Sequence, residues 1–233
     1  MGTEGFGPRL VELPFGLQVT ETVTVTWYLM AAIILLAWLG TRNMKMVPGR
    51  VQIVVEMLVK TINNLVKQTM GEQNAKFAPY IGTLMIFLAV ANLAGLIGLR
   101  PPTADINTTL ALALITFTMI HGFSVRSKGI GNYVKGYFQP FALLFPINLL
   151  GELATPISLS FRLFGNIVGG MIIMSLMYGA LTGLTGSLLN LNVPLLAVGL
   201  PAVFHVYFDV FSGLLQSFIF CMLTMVFVSM GMD

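Results

Sequence analysis

Charged side chains are scarce in this sequence: only 9% of its 233 residues are Asp, Glu, Lys or Arg. Soluble domains carry about 25%, so an ordinary solvated surface is excluded. A single cysteine, Cys221, excludes a disulfide framework and any metal site built on thiolates. Two histidines and nine acidic residues are spread along the chain and offer no compact ligand cluster. No Gly-rich phosphate loop of the Walker type is present, so the chain is not expected to hold a nucleotide. The basic surplus is a net +3, and its lysines and arginines flank apolar runs, which argues against nucleic-acid binding. The N-terminus lacks a basic stretch followed by a short apolar one, so a cleaved signal peptide is not expected.

What is abundant is apolar side chain, at 56% of the chain, arranged in long runs. Uncharged gaps of 20, 23, 20, 46 and 23 residues follow Glu21, Lys76, Asp105, Arg162 and Asp209. A helix needs about 20 apolar residues to cross the hydrocarbon layer. The expected fold is therefore an all-α polytopic membrane protein, a single integral membrane domain over 1–233. It has about five membrane-embedded helices and one amphipathic surface helix. Residues 1–21, with Gly2, Gly5, Gly7, Pro8 and Pro14, read as an irregular extracytoplasmic lead-in. Spans are expected over 22–41, 77–99 and 105–125, and longer ones over 138–178 and 193–231, joined by a turn near 179–192.

Residues 48–71 differ in kind. Val51, Val54, Val55, Leu58, Ile62, Leu65 and Val66 recur at helical spacing, while Gln52, Glu56, Lys60, Asn63, Asn64 and Lys67 fill the other face. Pro48-Gly49 and Gly71 supply start and stop signals. Such a helix lies on a membrane surface or packs on a partner. Nine of the twelve Lys and Arg lie in 42–76 and 126–135. The positive-inside rule places both segments and the C-terminus in the cytoplasm, and the N-terminus and the 100–105 turn outside.

The last two segments are over-long. About 36–40 helical residues extend roughly 54–60 Å, against a hydrocarbon layer of about 30 Å. They must break into pieces or tilt steeply, and Pro140, Pro146, Pro156, Pro194 and Pro201 supply bends.

Four ionisable side chains lie deep in these two segments: Glu152, Arg162, His205 and Asp209. Ionisable groups inside a bilayer are costly and are functional candidates by default. A guanidinium cannot in practice be neutralised, so Arg162 demands a carboxylate, water or phosphate nearby. On a helix Thr155, Ser158, Arg162, Asn166 and Gly169 share one stripe, and Gly165, Gly169 and Gly170 allow close approach of another helix. His205, Asp209, Ser212 and Gln216 form a second stripe, opposite the apolar Val203, Tyr207, Val210, Leu214 and Phe218. Asn148, Glu152 and Thr155 form a third, shorter one. A static ion pair of Arg162 with Glu152 or Asp209, and a hydrogen-bond zipper between helices, are the bland alternatives. Glu152 lies ten residues before Arg162, about 15 Å along a helix, which forbids a direct pair within one straight helix. The favoured reading is an ion path interrupted by a positive charge, which suits a mobile carboxylate on another protein.

The run Pro156-Ile-Ser-Leu-Ser-Phe-Arg162-Leu-Phe-Gly-Asn166 resembles the signature of subunit a of the F-type (FoF1) ATP synthase, prokaryotic type. Supporting stretches are Gln216-Ser-Phe-Ile-Phe220, Pro102-Thr-Ala-Asp105-Ile-Asn107, Lys128-Gly-Ile-Gly131 and Phe145-Pro146-Ile-Asn148. The resemblance covers roughly 80–230 and implies a stator that is not catalytic alone. Its partners would be a ring of c subunits, the b-subunit peripheral stalk, the rest of the complex and the lipid bilayer of a cell membrane. No cofactor, nucleotide, metal or nucleic acid is expected on the chain. The transported ion would be H+ or Na+, moving through two half-channels separated by Arg162. The implied ion-path residues are Arg162, Glu152, Asp209, His205, Asn166, Gln216 and Ser212. Ser158, Arg162, Asn166 and Gly169 would face the ring. Many bacterial members carry Glu nine residues after the arginine, where this chain has Met171, so Asp209 with His205 would be the outer relay. The rival functions are an independent secondary transporter or channel and a non-conducting scaffold.

Overall fold

The computed structural model describes residues 10–13, 17–139, 141–189 and 196–232. It is all-α apart from one hairpin. The helices are α1 (Glu21–Thr41), α2 (Arg50–Met70), α3 (Ala78–Leu93), α4 (Ile106–Lys128), α5 (Ile130–Gly136), α6 (Phe145–Leu189), α7 (Leu196–His205) and α8 (Gly213–Met232). A 3-10 helix over Glu72–Phe77 leads into α3, and a π-helical segment over Val206–Ser212 joins α7 to α8. Among the described residues five helical stretches are long and apolar enough to cross a membrane: Glu21–Thr41, Glu72–Ile97, Ile106–Lys128, Ala142–Thr185 and Pro201–Met232. Pro140 and Pro194, expected to bend the long segments, lie outside the described residues.

Two expectations are corrected. The lead-in is not irregular throughout: β1 (Leu10–Leu13) pairs antiparallel with β2 (Leu17–Thr20), Leu10 opposite Thr20. Backbone pairing satisfies donors and acceptors that an irregular chain would leave to water. The chain also does not turn at 179, because α6 continues to Leu189 as one helix of 45 residues. Its glycines cost helix propensity but forbid nothing. At 1.5 Å per residue α6 is about 68 Å long, more than twice the hydrocarbon thickness, so it tilts or protrudes wherever it sits in a bilayer.

Helix α1 is apolar on every side, and only Thr22, Val25 and Leu29 are buried, so lipid is its main solvent. Helix α2 buries Ile62, Val66 and Met70 against the bundle. Gly71, at φ 85°, ends it, its N–H returning to the Lys67 carbonyl. Gly129, at φ 76°, likewise separates α4 from α5.

The core draws on α2, α3, α4, α6 and α8 through Val66, Ile81, Leu88, Ala113, Leu163, Phe220 and Met225. Apolar burial alone cannot select helix pairs inside lipid, so small and hydroxyl side chains fix the register. Thr109 pairs with Ser160 at 3.0 Å and Thr116 with Thr224 at 3.3 Å, tying α4 to α6 and α8. Asn92 donates to the Gly213 carbonyl and to Ser217, each at 2.9 Å, and accepts from Thr103 at 2.7 Å. At the far end Ser124 and Ser127 donate to the Gly231 and Met232 carbonyls at 2.8 and 2.6 Å.

Gly231 is the tightest of these contacts. A Cβ there would meet Ser124 Oγ at 2.8 Å and the Ile120 carbonyl oxygen at 3.0 Å, and backbone cannot yield. Gly231→Val is expected to cost about 1–3 kcal/mol of overpacking. In detergent, the fully buried Cys221 thiol should react with a maleimide dye at a temperature several degrees lower. Gly131→Ala, which enters open space, should leave that temperature unchanged.

Candidate functional site

Helix α6 organises the site. Pro156 sits inside it and is buried. Proline has no N–H, so the helix bond to the Glu152 carbonyl is missing at this point. The polar surface of α6 gathers around that weakness. A cavity of 780 Å³ is lined there by Asn148, Gly151, Glu152 and Thr155 of α6, with Lys128, Tyr133, Tyr137 and Phe227 around them. This is the basic end of the bundle, where α1, α4 and α8 finish and α6 begins. A smaller cavity of 200 Å³ shares Gly151, Thr155 and Phe227 and runs past Ser158 to Arg162. From the opposite end a third cavity, of 450 Å³, reaches α6 at Asn166, Gly170, Met171 and Ser175. Its other walls are Glu21, Asn92, Arg100, His205 and Asp209. Along α6 the order is thus cavity, Arg162, one helical turn, cavity. Leu159 and Leu163 are 2% and 0% exposed and plug the bundle side of that turn.

Arg162 itself is exposed, and among the described residues it makes no hydrogen bond or ion pair. The static clasp with Glu152 or Asp209 is not formed. Glu152 Oε2 instead lies 3.7 Å from His121 Nε2, and Asp209 Oδ2 lies 2.5 Å from His205 Nδ1. Ser158 and Gly165 are exposed beside Arg162, and a Cβ on Gly165 or Gly169 would meet nothing within 4 Å. The flank of α6 at Gly165 and Gly169 therefore has no neighbour among the described residues. Gly170 is different, because Phe208 packs 3.5 Å from its Cβ position.

The second expected stripe is divided. Over Val206–Ser212 the backbone winds as a π-helix, which turns less per residue than an α-helix. His205 and Asp209 stay together in the 450 Å³ cavity, and Tyr178 reaches His205 Nε2 at 3.1 Å. Ser212 turns to α6 and donates to Asn166 Oδ1 at 2.6 Å, while Asn166 Nδ2 donates to the Ser212 carbonyl at 3.4 Å. Asn166 thus points inward as much as outward, a departure from its expected place beside Arg162 on one open face. Gln216 is 7% exposed, and its Nε2 has no hydrogen-bond partner among the described residues. The apolar face opposite is exposed at Val203, Tyr207, Leu214 and Phe218.

Several site residues escaped the sequence reading. His121 of α4, Tyr133 and Tyr137 stand around Glu152, with Tyr133 Oη 2.5 Å from both His121 Nδ1 and Tyr137 Oη. Burial above all, then the bond to Tyr133 and the Glu152 charge, hold the Tyr137 phenol well above its usual range. Glu21 and Arg100 enter the 450 Å³ cavity, as does Asn92. The signal for His121 was present: an ionisable residue inside an apolar span. No group of three His, Cys, Asp or Glu able to hold a metal ion occurs among the described residues.

A family model described as ATP synthase A chain matches residues 23–229. The chain belongs to the ATP synthase A chain family. It is 39% identical to a protein of Propionigenium modestum named ATP synthase subunit a, sodium ion specific, over 96% of this chain and 78% of that one. It is 38% identical to ATP synthase subunit a of Desulforamulus reducens, covering 92% and 80% of the two chains. With ATP synthase subunit a of Moorella thermoacetica it shares 31% identity over 91% of each. Membership in the ATP synthase A chain family agrees with the long apolar helices of a multi-pass membrane protein.

If the two cavities open at opposite ends, single cysteines report it. In the intact complex in sealed vesicles, Thr155→Cys should react with an impermeant thiosulfonate only from the face that bears Lys60 and Lys67. Met171→Cys should react only from the other face, and the buried Cys221 from neither. Reaction of both introduced thiols from one face would contradict the geometry.

Proposed function

We propose that this chain is the ion-translocating stator subunit of the membrane sector of a rotary ATP synthase. The observation that carries the reading is Arg162: a permanent cation, without a partner among the described residues, between two cavities that approach it from opposite ends. A channel has no use for such a block. A two-sided transfer to a moving carrier does.

The carrier would be a carboxylate on each subunit of a neighbouring c ring, passing along the open flank of α6 at Ser158, Gly165 and Gly169. One cavity would load the carboxylate and the other would unload it. Beside Arg162 the guanidinium favours the charged carboxylate and so drives release. The same charge repels a cation moving straight from one cavity to the other. Each elementary charge crossing 100 mV is worth about 2.3 kcal/mol, so several crossings drive one ATP. The exposed apolar row of Val203, Tyr207, Leu214 and Phe218 would meet lipid or the ring.

The outer relay would be Asp209 with His205, and the inner one Glu152. Asn166 and Ser212 would hold α6 against the π-helical segment, with Gln216 behind them. The basic end would be cytoplasmic and the N-terminus outside, by the positive-inside rule. The b-subunit stalk would complete the stator. An independent transporter gains no support, since an exposed unpaired arginine needs an acid from another chain.

Arg162→Ala, in the complete synthase reconstituted in liposomes, should abolish ATP-driven ion pumping, a loss of at least about 100-fold (over 2.7 kcal/mol). Arg162→Lys should also pump poorly, because an ammonium is a compact, hydrated charge on a different stem. Pumping at the wild-type rate in Arg162→Ala would overturn the proposal.

A further inference from the structure

We propose that His121 is a second proton-exchanging residue of the inner half-channel, sharing one proton with Glu152, and that Tyr133 fixes the imidazole for this role. The inference rests on the stator reading and extends it to a helix, α4, that the ion path did not otherwise use.

His121 sits just behind the wall of the 780 Å³ cavity, next to the lining residue Ile120 on α4 and facing Glu152, which lines the cavity from α6. Its ring is set edge-on to Phe117, with centroids 3.9 Å apart, and is held at Nδ1 by Tyr133. Nε2 is buried, has no hydrogen-bond partner among the described residues, and lies 3.7 Å from Glu152 Oε2. That distance allows ion pairing but is too long for a hydrogen bond. The Glu152 side chain is 39% exposed into the cavity and can close the gap by rotation or through one water.

The bonding pattern sets the direction of exchange. If Nδ1–H donates to Tyr133 Oη, the Tyr133 hydroxyl donates to Tyr137 Oη, and Tyr137, held protonated by its environment, completes the chain. Nε2 is then the nitrogen that gains or loses a proton. The two states of the pair are carboxylic acid with neutral imidazole, and carboxylate with imidazolium. They differ by one proton moved between Oε2 and Nε2, with no other bond made or broken. A second proton enters from cavity water on one side and leaves toward the ring carboxylate on the other. Besides Glu152, the titratable or charged side chains lining the cavity are Lys128 on α4, Tyr133 on α5 and Tyr137 after it; α8 contributes only Phe227, Met230 and Gly231.

The test is ATP-driven pumping by the complete synthase in liposomes, measured against pH on the side of the basic end. In this direction the pair must take protons from that side, so flux falls as pH rises. Free imidazole accepts a proton up to higher pH than a free carboxyl group does. His121→Gln keeps a polar side chain but cannot titrate. It should lower flux at least about 5-fold at about pH 7.5 and recover it at about pH 5.5, with the inflection moved to lower pH. Glu152→Gln should also move the inflection, and the double variant should lose less than the product of the single losses. Tyr133→Phe, which keeps His121 but removes its Nδ1 partner, should move the inflection by a smaller amount. A purely structural role would lower assembly or flux equally at every pH. A wild-type pH profile in His121→Gln, or flux that follows sodium and ignores His121, would overturn the inference. If His121→Gln does not assemble, unchanged profiles in both Tyr133→Phe and Glu152→Gln overturn it instead. Arg162→Ala in the same vesicles separates the two claims. Loss of pumping there beside an unchanged His121→Gln profile rejects only the role of His121.

Discussion

A guanidinium keeps its charge wherever a protein puts it, and in lipid that charge must be answered by a partner or by water. Arg162 is answered by neither Glu152 nor Asp209, each of which has a histidine instead. Much of the architecture follows from leaving it so. The flank of α6 around it is kept open by Gly165 and Gly169, while its bundle side is closed by Leu159 and Leu163. Cavities come close from both ends and stop one turn apart.

Holding two cavities apart requires helices that depart from regular winding where each cavity ends. On the basic side Pro156 removes a helix bond at Glu152. On the other side the π-helical segment Val206–Ser212 rotates the polar residues of the last segment into two groups. His205 and Asp209 remain in the cavity, and Ser212 locks to Asn166. Asn92 braces the end of the π-helical segment by donating to the Gly213 carbonyl. A Cβ on Gly213 would come within 3.2 Å of Asn92, so glycine is what lets the two helices meet.

The spans were legible because charge gaps of 20 or more residues have one common cause, the thickness of a bilayer. Helix α2 was legible from Gly49 and Gly71 at its ends, and Arg162 from its surrounding motif. The hairpin at Leu10–Leu13 and Leu17–Thr20 was not, since four-residue strands between glycines and prolines carry too little alternation to separate from loop. Nor was the π winding, because α and π turns have the same local preferences and tertiary contacts choose between them: Asn92 on Gly213, and Phe208 on Gly170. His121 was legible in principle. Its partner Glu152 lies 31 residues away on another helix, and only packing brings them together.

The most direct test of the central claim is a structure of the assembled membrane complex with the Arg162 side chain resolved. The account predicts a guanidinium directed away from its own bundle, with a carboxylate of the neighbouring ring, or ordered water between them, as its nearest acidic contact. A guanidinium bonded to Glu152 or Asp209 of the same chain, with no second chain along Ser158, Gly165 and Gly169, would contradict it.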